Sequence, residues 1–373
     1  MQGKKTDIEN TGKLGFGLMR LPKKGLGINL DETKKMVDMF MDAGFTYFDT
    51  AHVYPGSEDA IGKALVERYP RDSYTLATKL FARAALNEKM ARKQFFTSLE
   101  RTKAEYIDYY LLHTLMSSNY KLYEKYHLWD FVKELKEQGL VKHIGFSFHD
   151  GPELLEELLQ KHPEVEFVQL QINYANWENK KVTSRANYEM ARKYGKYITV
   201  MEPVKGGALA NPDKQIEKLF KDYAPDMSCA SWAIRFVASL DGILTVLSGM
   251  SNSAQMEDNL SYMKDFKPLN EDERKIIQEA QKILGRSNTI PCTGCSYCTS
   301  GCPKQIAIPE VFAAMNKRLA NGMIEEAKKD YQDLLTRSGN PAECLACGQC
   351  ESVCPQHIDI IDKLKMCAEA LGE

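Results

Sequence analysis

From about residue 14 to residue 264, short apolar runs alternate with longer amphipathic stretches. The runs are LGFGLM (14–19), FTYFDT (45–50), YTLAT (74–78), IDYYLL (107–112), HIGFSF (143–148), VEFVQLQIN (165–173), ITVMEPV (198–204) and LTVLSGM (244–250). Between them, stretches such as LDETKKMVDMFMDAG carry apolar residues at helical spacing and end on a glycine stop. Eight such units over about 250 residues predict an α/β chain folded as a (β/α)8 TIM barrel. The alternative is a doubly wound open sheet. Against it, no predicted strand is followed by a glycine-rich dinucleotide fingerprint.

The pattern changes after the barrel. KPLNEDERKIIQEAQKILGRS (267–287) reads as a helical linker. Then CTGCSYCTSGCPKQIAI (292–308) and CLACGQCESVCPQHIDI (344–360) repeat one template, C-x2-C-x2-C-x3-C-P-x2-I-x-I. The segment between them is polar and helix-prone, with few strand formers. The expected organisation is a barrel over 1–266, a linker over 267–287, and a mainly helical, ferredoxin-like module with two clusters over 288–373.

Composition narrows the function class. The chain has 373 residues, enough for two domains, with 49 basic and 51 acidic side chains. That balance gives no electrostatic case for nucleic acid or an anionic membrane. The N-terminal MQGKKTDIENTGK is polar, and no apolar run approaches a membrane span, so the expected address is cytoplasmic. Of ten cysteines, eight fall in the two tight runs, while Cys229 and Cys367 stand alone on helical patterns as small buried apolar residues. Disulfide frameworks spread cysteines to close loops; this placement reads as metal ligation.

C-x2-C-x2-C-x3-C-P is the bacterial [4Fe–4S] spacing. Three closely spaced thiolates wrap three corners of a cube, and the fourth reaches the other cluster when two runs are present. Cys292, Cys295, Cys298 and Cys354 are therefore expected to hold one cluster, and Cys344, Cys347, Cys350 and Cys302 the other. Pro303 and Pro355 turn the chain away, and Ile306, Ile308, Ile358 and Ile360 shield the cubes from water. Structural zinc is the competing reading, but zinc sites use paired C-x2-C knuckles rather than three cysteines in series.

TIM-barrel chemistry sits at the C-terminal ends of the strands. Asp49 and Tyr54 follow the second run, Lys79 ends the third and His113 ends the fourth. These residue types suit carbonyl reduction. As hydride reaches the carbonyl carbon, the oxygen gains negative charge and needs a proton, which Tyr54 can supply. Lys79 nearby would favour the phenolate, Asp49 would hold Lys79 charged, and His113 can orient the carbonyl. Taken singly, each has an ordinary structural explanation: a helix cap, packing, a strand-end charge, a core histidine. It is the four at successive strand ends that point to chemistry.

Over residues 14–264 the chain resembles the aldo-keto reductase superfamily, with all four tetrad positions filled. GFGLMRLP, IGFSFHD, MEPVKGGAL and LSGMSNSAQMEDNL resemble its microbial branch with a C-terminal 4Fe-4S ferredoxin-type domain. The resemblance implies NADP(H) or NAD(H) across the barrel mouth, with Gln169 and Ser147 at the carboxamide. Gly249, Ser251, Gln255 and Asn259 would hold the adenosine phosphate end. Two departures stand out. Ser147-Phe148 replaces the usual Ser-Asn pair. Met201 stands where an aromatic stacks on the nicotinamide, and basic residues for the 2′-phosphate are missing. They imply that NADPH is held weakly, or that NADH or a flavin takes some of that space. Trp129 and Trp177 lie in or near loops at the mouth, lining a pocket or packing in the core. His149 faces either the pocket or the surface. The long connection 114–130 reads as a lid.

Three functions follow. The leading one is a cytoplasmic oxidoreductase interconverting a small carbonyl substrate and its alcohol with a nicotinamide cofactor. The second is a ferredoxin-linked enzyme in which the clusters feed the barrel, with a flavin matching single electrons to pairs and a redox partner protein supplying them. The third is a nucleotide-binding redox sensor subunit. A purely structural role for the clusters is the plain alternative.

Overall fold

The computed structural model describes residues 12–286 and 288–372. Residues 1–11, most of the polar N-terminal stretch, lie outside the described residues, as does Ser287 at the end of the expected linker.

Eight parallel strands close into a barrel: β1 (Leu14–Gly17), β2 (Tyr47–Asp49), β3 (Thr75–Leu80), β4 (Ile107–Leu115), β5 (Val141–Phe148), β6 (Phe167–Gln171), β7 (Tyr197–Met201) and β8 (Ile243–Ser248). Each pairs with its sequence neighbours, and β8 closes on β1 through Leu14–Val246 and Phe16–Ser248. Every apolar run of the sequence overlaps one strand, so the (β/α)8 expectation holds.

The connections carry α1 (Leu30–Asp42), α2 (Ser57–Ile61), α3 (Glu88–Thr102), α4 (Tyr120–Lys125), α5 (Leu128–Glu137), α6 (Pro152–Lys161), α7 (Ser184–Lys193), α8 (Lys214–Tyr223), α9 (Cys229–Ala238) and α10 (Ser253–Met263). In α1 the buried positions are Thr33, Met36, Val37 and Phe40, the i, i+3, i+4, i+7 stripe its sequence predicts. Asn29 caps its N-terminus by accepting from the Glu32 amide at 3.3 Å.

The interior of the barrel explains where its chemistry can be. Tyr47, Ala77, Tyr109, Leu111, Phe167, Leu244 and Leu247 form a buried apolar plug, with Tyr109 5.1 Å from both the Tyr47 and Phe167 rings. Gly145 belongs to this layer: a Cβ there would lie 2.5 Å from the Phe167 ring. Because side chains alternate along a strand, residues two places further on face the same interior, nearer the C-terminal ends. They are Asp49 after Tyr47, Lys79 after Ala77, His113 after Leu111, Ser147 after Gly145 and Gln169 after Phe167. The plug thus fixes five inward polar residues in one layer above it.

The chain divides into two compact units. One runs to residue 179 and resumes over Thr183–Val204 and Ala230–Arg274; the other comprises Lys180–Val182, Lys205–Cys229 and the chain from Lys275 onward. α11 (Glu271–Leu284) begins in a reciprocal cap, with the Glu273 amide donating to Asn270 Oδ1 and the Asn270 amide to Glu273 Oε2, both at 2.9 Å. Arg235 of α9 anchors that turn by donating to both Glu273 oxygens, at 2.7 and 3.0 Å.

The C-terminal unit is helical, with α12 (Ile308–Asn321), α13 (Ile324–Leu335) and α14 (Ile360–Leu371), and no strand among its described residues. Gly322 turns α12 into α13 with a left-handed φ of 66°. Its core gathers Ile306, Val311, Phe312, Tyr331, Leu364 and the lone Cys367, which is fully buried; Cys229 is buried in α9. Among the described residues no helix is long and apolar enough to cross a membrane.

Candidate active site

The loop after β2 extends that strand's pairing with β3: Thr50 N donates to Ala77 O (2.9 Å) and His52 N to Lys79 O (3.2 Å). Thr50 and Ser57 hydroxyls then meet at 2.7 Å, and Ser57 Oγ donates to the Leu18 carbonyl at 3.0 Å. These ties hold Tyr54, which is half-buried, over the layer of inward polar residues.

Lys79 is fully buried and donates to Asp49 Oδ2 at 2.6 Å and to the Thr50 carbonyl at 2.7 Å. Burial pushes the Asp49 carboxyl up and the Lys79 ammonium down, each toward its neutral form, and the contact between them opposes both shifts. The ammonium lies 5.1 Å from the centre of the Tyr54 ring. The His113 ring stands edge-on to Tyr54, centroids 5.8 Å apart, with Phe81 on another side at 5.6 Å. Asp49, Tyr54, Lys79 and His113 are therefore brought together.

Burial, reinforced by the Lys79 and His149 charges, holds His113 well below the usual imidazole range. It is neutral at physiological pH, a donor through one nitrogen only. Its placement comes from an irregularity: the β4–β5 register shifts between Leu112 and Leu115, and Thr114 has a left-handed φ of 58°. Ser147 Oγ accepts from the Thr114 amide at 2.6 Å, and Asn119 Nδ2 donates to the Thr114 carbonyl at 2.7 Å. The Tyr123 hydroxyl donates to the His113 carbonyl. The connection expected as a lid is thus a packed buttress, since α4 and α5 occupy most of it and Tyr123 is fully buried.

Ser147 and Gln169 are register partners on β5 and β6. Ser147 is fully buried, its acceptor lone pair engaged by Thr114. Gln169 Nε2 approaches Met201 Sδ at 3.7 Å, and Thr199 Oγ1 reaches Gln169 Oε1 at 3.5 Å. Gly249 and Ser251 precede α10 and Gln255 lies in its first turn, where the Ser251 amide donates to Gln255 Oε1 (2.8 Å), while Asn259 is buried one turn further along the helix. Trp129 sits away from the mouth, packed on Phe146 and stacked on His162 at 3.7 Å, because β5 turns its even-numbered residues outward. Trp177 is half-buried against Tyr188 and Phe236.

Three residues escaped the sequence reading. Gln171 on β6 lies two places beyond Gln169, and among the described residues neither side-chain amide atom has a partner although both are buried. Arg20, just past β1, lies 3.6 Å from Glu202; the rule that found the tetrad, inspection of strand ends, would have found it too. Glu32 is the third. Its Oε1 accepts from the Ser253 amide (2.9 Å) and hydroxyl (2.7 Å) at the N-terminus of α10. Those hydrogen bonds hold its carboxyl below the usual range. No local pattern joins positions so far apart in the chain.

In the C-terminal unit, Cys292, Cys295, Cys298 and Cys354 line one pocket of about 330 Å³. Cys302, Cys344, Cys347 and Cys350 line another of about 360 Å³. The last cysteine of each run thus faces the first three of the other, and Ile308 lines both pockets. The two runs share one backbone: left-handed residues recur in pairs at Gly294 and Ala346, Ser296 and Gly348, Gln305 and His357. Such turns aim successive main-chain N–H groups at an anion, and those of Gln356, His357 and Ile358 donate toward Cys354. Burial, with the Cys295, Cys292 and Cys354 charges, drives the Cys298 thiol up; Cys350 is pushed up to about 11, chiefly by burial. Four soft sulfur donors around an apolar-walled space fit a four-iron cluster in each pocket.

Comparison with known proteins agrees with both halves. Residues 13–282 match the sequence model of the aldo/keto reductase family, and residues 291–358 that of a 4Fe-4S dicluster domain. The chain is 27% identical over 300 residues to an NAD(P)H-dependent 6'-deoxychalcone synthase of Glycine max, covering 73% of this chain and 91% of that protein. It is 33% identical over 134 residues to a methylglyoxal reductase of Yersinia pestis, covering 35% of this chain and 46% of that one. Among solved structures, the holo form of an aldo-keto reductase from Bacillus halodurans superposes with a TM-score of 0.57 at 25% identity, covering 72% of this chain and 91% of that chain. An aldo/keto reductase from Klebsiella pneumoniae in complex with NADP and acetate gives 0.59 at 17% identity over 72% and 90%, a likeness of fold.

Proposed function

Because this chain belongs to the aldo/keto reductase family and carries a 4Fe-4S dicluster domain, we propose that it interconverts a small carbonyl compound and its alcohol at the barrel mouth, with a nicotinamide cofactor, and exchanges single electrons through two [4Fe–4S] clusters. The observation that carries this reading is the buried Lys79–Asp49 pair beneath Tyr54 and beside a neutral His113.

A bound nicotinamide supplies the hydride and the clusters pass electrons one at a time. The chain's residues do the rest. Tyr54 gives its proton to the carbonyl oxygen as the carbon is reduced, and takes it back in the reverse direction. The Lys79 ammonium lowers the cost of the resulting phenolate, and Asp49 keeps that ammonium in place and charged. His113, held neutral, donates an N–H to the same oxygen and orients it without competing for the proton. Ser147 and Gln169 would meet the carboxamide; Gly249, Ser251, Gln255 and Asn259 would meet the adenosine end.

For the cofactor we read a preference for NADH over NADPH. Phosphate sites in these barrels use the loops after the last strands and the N-terminus of a nearby helix. At α10 that terminus is taken by the Glu32 carboxylate, on Ser253, and by Asn252, which accepts from the Gln255 amide at 2.9 Å. A carboxylate repels a 2′-phosphate and suits a free ribose hydroxyl. A cytoplasmic address fits eight cysteine ligands that must stay reduced.

The test is anaerobic purification with iron, sulfide, flavin and nucleotide analysis of one sample, followed by carbonyl-dependent oxidation of NADH. About eight irons per chain, four for each cluster, no flavin and turnover of a small aldehyde or ketone are expected. Bound flavin with no nicotinamide-dependent turnover would sink the reading.

A further inference from the structure

The two cluster pockets are not equivalent. Gln356 lines the pocket of Cys292, Cys295, Cys298 and Cys354. Its side chain is 4% exposed, and among the described residues neither Oε1 nor Nε2 has a hydrogen-bond partner. A buried amide left in that state carries its full desolvation cost, so a partner in the pocket it lines is the economical explanation. The corresponding residue of the other run, one place after the proline, is Lys304. Its ammonium is drawn off to Glu343 Oε2 at 2.9 Å. Solvent access differs at one ligand: Cys347 of the second pocket is exposed, although Cys350 there is buried like Cys298 and Cys354 of the first, whose other two cysteines are half-buried.

We propose that the Gln356 side-chain N–H2 donates a hydrogen bond to a sulfur of the cluster held by Cys292, Cys295, Cys298 and Cys354, and raises that cluster's reduction potential above the value it would have without the donor. This rests on reading the two runs as [4Fe–4S] ligands. Accepting an electron adds a negative charge to the cluster, and a donor to sulfur stabilises the more negative state. Nε2 rather than Oε1 must face the cluster, because the carbonyl end would meet electron-rich sulfur.

The test is a redox titration of the anaerobically purified full chain, followed by electron paramagnetic resonance, for the wild type and Gln356→Met. Iron and sulfide analysis comes first: a wild-type chain without two clusters defeats the ligand reading itself rather than this proposal. Cys347→Ser identifies which signal belongs to the exposed cluster. In Gln356→Met the affinity of the buried cluster for its electron should fall about tenfold, ~59 mV for one electron, with the exposed cluster unmoved. Gln356→Glu keeps the shape without the donor and should lower the same midpoint at least as far. Beyond the exchangeable protons of main-chain N–H groups, which should persist, one exchangeable proton coupling to the buried cluster in wild-type double-resonance spectra should be lost in Gln356→Met. Unchanged midpoints in fully loaded Gln356→Met, or equal shifts of both clusters, would overturn the assignment.

Discussion

Lys79 Nζ lies 2.6 Å from Asp49 Oδ2, and neither group has appreciable contact with solvent. Removing one member of such a pair strands a buried charge, typically for about 3–5 kcal/mol, while removing both is far milder. Lys79→Met and Asp49→Asn should each destabilise the barrel by that order in chemical denaturation, and the double variant by clearly less than the sum. Additive losses would mean the two do not act as a pair.

Glu32 should govern cofactor choice. Glu32→Gln frees the start of α10 of negative charge and should improve NADPH binding relative to NADH by about fivefold, the scale of a charge at a helix terminus. Calorimetric titration of both nucleotides reads the ratio. An unchanged ratio would remove Glu32 from the cofactor site.

Cys354 lies far in sequence from the three cysteines it joins at the first pocket. Cys354→Ala should halve the iron content and abolish the signal of the Cys292–Cys298 cluster, leaving that of the other. Loss of the cluster held by its own run would instead mean that each run binds alone.

Glu166 reports on acid stability. Burial alone would raise its pKa, but hydrogen bonds from His143, Lys136 and the Ile144 amide hold it down at about 2. A depressed folded-state pKa means stability that is complete above the unfolded value of 4.5 and is lost as pH falls through about 2. The wild type should therefore lose stability over that window more steeply than Glu166→Gln, measured by thermal melts between these pH values.

Much of this was legible because the signals are local. Each strand is an apolar run, and Asp49, Lys79 and His113 stand at strand ends where period-two alternation places them above the plug. The cysteine template repeats within one segment, so the grouping of Cys302 and Cys354 with the other run's cysteines could be expected from spacing. What stayed hidden depends on contacts between distant segments. Residues 114–130 read as a lid because nothing local reveals that Tyr123 buttresses His113. The Glu32–Ser253 bond joins the first and last βα units. Trp129 stayed open between lining a pocket and packing in the core, because its burial depends on which face of β5 it meets.

The most direct test of the proposed chemistry is single-turnover hydride transfer by Tyr54→Phe, which removes one oxygen from a half-buried ring and leaves the Lys79–Asp49 pair in place. The account predicts unchanged cofactor binding and a carbonyl-reduction rate lower by roughly 10²–10⁴-fold. A rate near that of the wild type would contradict it.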